Sequence, residues 1–120
     1  MSTLEMTKDN FQQTIDDNDI VIVDFWASWC GPCMQFAPVF EKTSEKYPDI
    51  VFAKVNTEEQ PELAGAFQIQ AIPTLMVFRE QVLVYAEAGA LPGHAFKNLI
   101  NQVLELDMED VKKKAKEMTA

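Results

Sequence analysis

The chain is poor in thiol and imidazole: two cysteines, Cys30 and Cys33, and a single histidine, His94, in 120 residues. That leaves a tetrahedral metal site badly supplied within one copy, because structural zinc takes four such ligands. A site shared across a dimer stays open. Cations are scarce too, with 10 Lys and Arg against 19 Asp and Glu and a net charge of -9. Nucleic acid is disfavoured as a partner, since its phosphates would be repelled. No apolar run approaches the roughly 20 residues of a membrane-spanning helix, so no membrane association is expected. The stretch Met1 to Ile20 carries acids and amides where a secretory signal would show a basic start and an apolar core. No Pro-, Gly- or Ser-rich linker, repeat or low-complexity tract divides the chain. With 48% hydrophobic residues, one compact domain in a reducing cytoplasm is expected, and the chain is read as a monomer. In that compartment a lone CxxC is more often catalytic than structural.

What is present centres on Trp29-Cys30-Gly31-Pro32-Cys33. The pair follows an apolar run, Ile20 to Ala27, and precedes a segment in which Phe36, Val39 and Phe40 recur at helical spacing, which places it at a strand-to-helix turn. A helix opening near Cys30 would offer unpaired N–H groups and a positive dipole end, both of which favour thiolate there. Pro32 suits a first turn, where its missing N–H costs no helical bond. Residues three apart share a helical face, so Cys33 can reach Cys30 and close a disulfide or release a mixed one. The more exposed first sulfur attacks and the second resolves. A structural disulfide is the competing reading, weakened because so short a loop constrains the unfolded chain little.

Asp24 interrupts the apolar strand Ile20 to Ala27, so it is expected to point into the core beneath the cysteines. A buried carboxyl without a partner has its pKa raised, and a group so tuned can take the proton of Cys33 and return it. The alternative is a strand-end aspartate satisfied by backbone N–H groups. Around this strand, Thr7 is expected to cap a short helix bearing Phe11 and Ile15. Ile50 to Asn56 reads as a strand and Pro61 to Phe67 as a short helix. Thr74 to Phe78 with Val82 to Ala88 reads as a hairpin, and Phe96, Leu99, Ile100, Val103 and Leu104 trace a final core helix.

The stretch Val23 to Cys33, with Ala37-Pro38, Ile72-Pro73-Thr74 and Gly89-Ala90, resembles the thioredoxin family from about Thr7 to Leu104. Asn56-Thr57-Glu58 and Phe36 to Phe40 resemble its second bacterial type, without the cysteine-rich zinc-binding extension of that type. The resemblance implies an α/β thioredoxin fold: a central mixed sheet, built of βαβ and ββα units and flanked by helices. It implies catalysis by Cys30 and Cys33 with Gly31, Pro32 and Trp29 around them, Asp24 as proton acceptor and donor, and Lys54 near Asp24 to modulate its charge. An exposed strand lysine is the plainer reading of Lys54. The Ile72-Pro73 bond is expected to be cis. Trp29, Ile72, Pro73, Thr74, Gly89 and Ala90 are then expected to form the substrate rim, Ile72 offering backbone to an extended chain. A simple strand-to-loop turn is the alternative for Gly89-Ala90.

The implied activity is protein-disulfide reduction with no bound cofactor, the electrons coming from NADPH through a thioredoxin reductase. Partners are that reductase and diverse disulfide-containing proteins. A disulfide oxidase or isomerase is one alternative, disfavoured by Gly31-Pro32 between the cysteines; a non-catalytic partner-binding subunit is another. The chain also departs from the family. Met34 and Gln35 stand where a cation often follows the second cysteine, and His94 reads as a solvated surface residue. Glu80-Gln81 lacks residues tolerant of positive φ, so a longer or distorted hairpin loop is expected. Residues 1–106 form the domain; residues 107–120 read as a charged extension, with Asp107 as a cap and Met108, Val111, Ala115 and Met118 on one side. A frayed continuation of the last helix is the favoured form, and a separate docked helix the alternative.

Overall fold

The computed structural model describes residues 2–119, the side chains of residues 118 and 119 excepted, so the expected placement of Met118 lies outside the described residues. The central strand is β2 (Ile20–Trp26), with β3 (Val51–Asn56) parallel on one side and β4 (Thr74–Arg79) antiparallel on the other. A short β1 (Thr3–Glu5) adds parallel to β3, and β5 (Val82–Ala88) pairs antiparallel with β4, giving the order β1-β3-β2-β4-β5. Helix α1 (Phe11–Asp17) precedes β2, α2 (Gly31–Lys46) crosses from β2 to β3, and α3 (Pro61–Ala66) leads towards β4. After the hairpin come α4 (Gly93–Leu104) and α5 (Met108–Thr119). This is the mixed sheet of βαβ and ββα units that the sequence implied.

Alternation along β2 feeds two cores. Ile20 and Ile22 pack with Phe36 and Phe40 of α2 and Phe96 and Ile100 of α4, whereas Val21, Val23 and Phe25 pack with Ile15 of α1 and Leu63 of α3. Asp24 continues the Ile20–Ile22 side and therefore lies on the face that α2 covers. Burial of each of these phenylalanines contributes about 1.5–3 kcal/mol. Ring pairs Phe36–Phe96 and Phe40–Phe52, both with centroids 5.4 Å apart, tie α2 to α4 and to β3. The start of α2 is thereby held over the end of β2.

Four features differ from the sequence reading. The strand β1 was not expected; its three residues carry no pattern of their own and are defined by pairing with β3. Thr7 is not the cap of α1. Its N–H donates to Asn10 Oδ1 at 2.8 Å and its carbonyl accepts from Asn10 and Phe11, so it opens a closed turn and Asn10 takes the cap position.

The hairpin turn is tight, not extended: Glu80 and Gln81 both adopt positive φ, 50° and 66°. Neighbours hold it there, with Glu80 N–H donating to Asp19 O at 2.7 Å, Gln81 Nε2 donating to Ile15 O at 3.3 Å, and Lys112 pairing with Glu80 at 2.6 Å. The irregularity falls instead in the ladder, as a register shift between Val77 and Phe78.

The last helix does not continue as a frayed extension. It stops at Leu104, and α5 starts anew with Asp107 Oδ1 accepting from the N–H groups of Glu109 and Asp110 at 3.1 and 3.3 Å. Met108 is buried, and Val111 and Ala115 face β5 across a groove. Arg79 enforces the break: its guanidinium donates to the carbonyls of Val103, Leu104 and Leu106, which a continuous helix would spend on its own N–H groups.

Candidate functional site

Cys30 sits at the N-cap of α2 in an extended conformation, φ -91° and ψ 109°, and Pro32 occupies the first turn. The Cys30 sulfur accepts the Cys33 N–H at 3.2 Å, one of the helix-start donors that would stabilise a thiolate. The two cysteines form a disulfide with Cα atoms 5.2 Å apart. Both are more enclosed than the sequence suggested, Cys30 at 5% exposure and Cys33 at 1%. The residues around them stay open: Gly31, Pro32, Met34 and Gln35 are exposed, and Trp29 is 70% exposed. No cation occupies the two positions after Cys33.

Asp24 is fully buried, and neither carboxylate oxygen has a hydrogen-bond partner. The backbone-satisfied alternative is therefore excluded. Burial pushes its pKa up to about 7, against the opposing pull of the Lys54 ammonium. Lys54 is half-buried, with Asp24 as its register partner, and its ammonium stands 4.7 Å over the Trp26 ring. The plain exposed-lysine reading does not hold.

The Ile72–Pro73 bond is cis, and Ile72 O lies 3.7 Å from the Cys30 sulfur. Pro73 is buried, and the Thr74 hydroxyl donates to Ala71 O at 2.5 Å, closing the loop before β4. Gly89, at φ 115°, donates its N–H to Pro73 O at 2.7 Å, which brings the Gly89-Ala90 turn beside the loop and leaves both residues exposed. Trp29 and Ile72 share a groove of 190 Å³ with Thr57, Ile69, Gln70 and Ala71. Those last four were not anticipated; their nearness to Trp29 in the chain's fold has no periodic signature, although three of them immediately precede Ile72-Pro73. His94 is exposed in the first turn of α4.

A cysteine pair that closes at a helix start can make and break disulfides, and a buried carboxyl lies on the same sheet face; fold and site together define a thiol–disulfide oxidoreductase. The family model described as Thioredoxin matches residues 2–102. The chain belongs to the thioredoxin family. It is 58% identical over 119 residues to a Streptomyces coelicolor protein bearing the name thioredoxin 2, covering 99% of this chain and 89% of that protein. A thioredoxin of Alicyclobacillus acidocaldarius is 47% identical over 105 residues, covering 87% of this chain and all (100%) of its own length. Among solved structures, Plasmodium falciparum thioredoxin superposes with a TM-score of 0.77 at 37% identity, covering 83% of this chain and 98% of that one. A variant thioredoxin from Halobacterium salinarum gives 0.80 at 34% identity, covering 88% and 93%.

Proposed function

We propose that this oxidoreductase works in the reducing direction, with Asp24 managing the proton of the resolving cysteine. The Cys30 thiolate attacks one sulfur of a substrate disulfide, forming a mixed disulfide and releasing the other sulfur as thiolate. Asp24 carboxylate takes the Cys33 proton, and the Cys33 thiolate then attacks Cys30 Sγ. The Cys30–Cys33 disulfide forms as the second substrate sulfur leaves as thiolate; one proton returned by Asp24 and one from solvent make the substrate a dithiol, and two electrons have passed to it. The observation that carries this reading is the buried, unpartnered Asp24 carboxyl on the face covered by α2, the helix that carries Cys33.

The protein is then a carrier that must be recharged, and the family likeness supports a thioredoxin reductase drawing on NADPH. Gly31-Pro32 between the cysteines supports reduction over oxidation. The exposed Trp29, the Ile72 backbone, Pro73, Thr74 and the Gly89-Ala90 turn would receive an extended substrate chain. We assign residues 1–106 to the redox domain and 107–120 to a charged C-terminal extension that carries α5, in a cytoplasmic monomer. Trapping tests the roles of the sulfurs: Cys33→Ser accumulates covalent substrate adducts and Cys30→Ser accumulates none. Equal trapping by the two variants would overturn the assignment, and a potential well above that of glutathione would reverse the direction.

A further inference from the structure

Lys54 is the middle member of a row of charges crossing three strands. Its register partner on β2 is Asp24 and its register partner on β1 is Glu5. In-register neighbours in parallel strands project from the same face of the sheet. The row runs from a buried carboxyl, through a half-buried ammonium, to an exposed carboxylate on the edge strand. Among the described residues no carboxylate lies within ion-pair distance of Lys54; the ammonium rests over Trp26 instead. A cavity of 360 Å³ opens at this point, with Glu5, Trp26, Lys54, Asn56 and Glu59 on its walls, so the side chain has room to swing.

Lysine carries a compact charge on a flexible stem, and an opposite charge within about 4–6 Å decides which form of a carboxyl is favoured. The two ends of the row therefore compete for one cation. We infer that Glu5 is a positioning residue for proton exchange at Asp24: it draws the Lys54 ammonium outward and weakens, without abolishing, the countercharge that favours ionised Asp24. This rests on the proposed proton role of Asp24. The other groups facing the row are fewer and differently engaged. Glu41 of α2 accepts the Thr3 hydroxyl at 3.0 Å through one oxygen and keeps the other buried without a partner, Glu59 lines the same cavity as Lys54 from beyond the end of β3, and the first turn of α2 supplies the cysteines. On the β4 side Asp24 meets only the apolar Leu75. Among the described residues, Glu5 is the one carboxylate besides Asp24 in register with Lys54.

The test is a carbon-detected NMR titration of the Asp24 carboxyl in the disulfide form, where the cysteines do not titrate, with Asp24→Asn assigning the signal. Glu5→Gln lowers the Asp24 midpoint by about half a pH unit, most of it because the freed Lys54 ammonium turns towards Asp24. Glu5→Asp keeps the charge and restores the midpoint. In a Lys54→Met background, Glu5→Gln shifts the midpoint by less than half as much, because the competition is gone. Equal shifts in the two backgrounds would mean that Glu5 acts by its own field alone, and a larger shift from Glu59→Gln would move the role to that residue; either result overturns the inference, as does an unmoved midpoint. The readout is independent of catalysis. If Asp24→Asn instead leaves the pH–rate profile intact while Glu5→Gln still moves the midpoint, the proton role of Asp24 fails and the Glu5–Lys54–Asp24 competition stands.

Discussion

Asp24 and Arg79 are charged residues drawn into the sheet near opposite ends of β2, Asp24 opposite Leu75 and Arg79 opposite Ile20. Arg79 is spent on structure: its Nη1 donates to Val103 O at 2.6 Å, Leu104 O at 3.3 Å and Leu106 O at 3.2 Å, while its buried Nε has no partner. Asp24 accepts no hydrogen bond at either oxygen. A cation so engaged fixes where one helix ends and the next begins. A carboxyl so deprived cannot hold its charge cheaply, and its proton becomes exchangeable close to neutral pH. One end of the strand is tuned for stability, and in the proposed mechanism the other gives up stability for chemistry.

The largest contrast is in pH dependence. The folded-state pKa of Asp24 is raised from 3.8 to about 7, so between those values the folded chain holds a proton that the unfolded chain has lost. Stability therefore falls as pH rises through that window, by up to about 4 kcal/mol in all. Asp24→Asn removes this loss, so denaturant unfolding of variant and wild type, followed from about pH 4 to about pH 8, shows the difference growing in the variant's favour by up to that amount. A constant difference would mean that Asp24 is not desolvated in solution. Arg79→Met has the opposite character: a loss of about 2–3 kcal/mol from its charged hydrogen bonds, nearly flat across the same pH range, with insulin-type disulfide reduction unchanged. A fall in activity that outpaces the fall in folded protein would join the two ends of β2 functionally. The smallest effect is expected at Lys112. Its pair with Glu80 is surface-exposed, so Lys112→Ala costs about 0.2–1 kcal/mol. A larger loss would show that α5 hangs on that ion pair and not on the burial of Met108.

The same contrast explains what could be read from the chain. β2, α2, the hairpin strands and α4 follow from apolar period, and Asp24 stands out because it breaks such a run. The cysteine pair and Ile72-Pro73-Thr74 are local motifs, so they too were legible. What escaped depends on partners distant in sequence. The positive φ of Glu80 and Gln81 is held by α1, Asp19 and Lys112; Asp107 marks the start of α5, but nothing near Leu104 signals that Arg79 will stop the preceding helix. The cap of α1 failed for a nearer reason, since Asn10 folds its side chain back on Thr7. In the site, the Gly89–Pro73 hydrogen bond and the Thr57, Gln70 and Ala71 walls of the Trp29 groove come from topology that brings separate loops together.

The central claim is that Asp24 takes the Cys33 proton during resolution. Stopped-flow release of a substrate from its mixed disulfide with Cys30, followed across pH in the wild type and in Asp24→Asn, measures that step alone. The rate in the wild type should break near pH 7, where Asp24 titrates, and the variant should lose the break and run about 10²-fold slower below the thiol's own pKa, the low end of what a positioned base supplies. Superimposable profiles would contradict the claim.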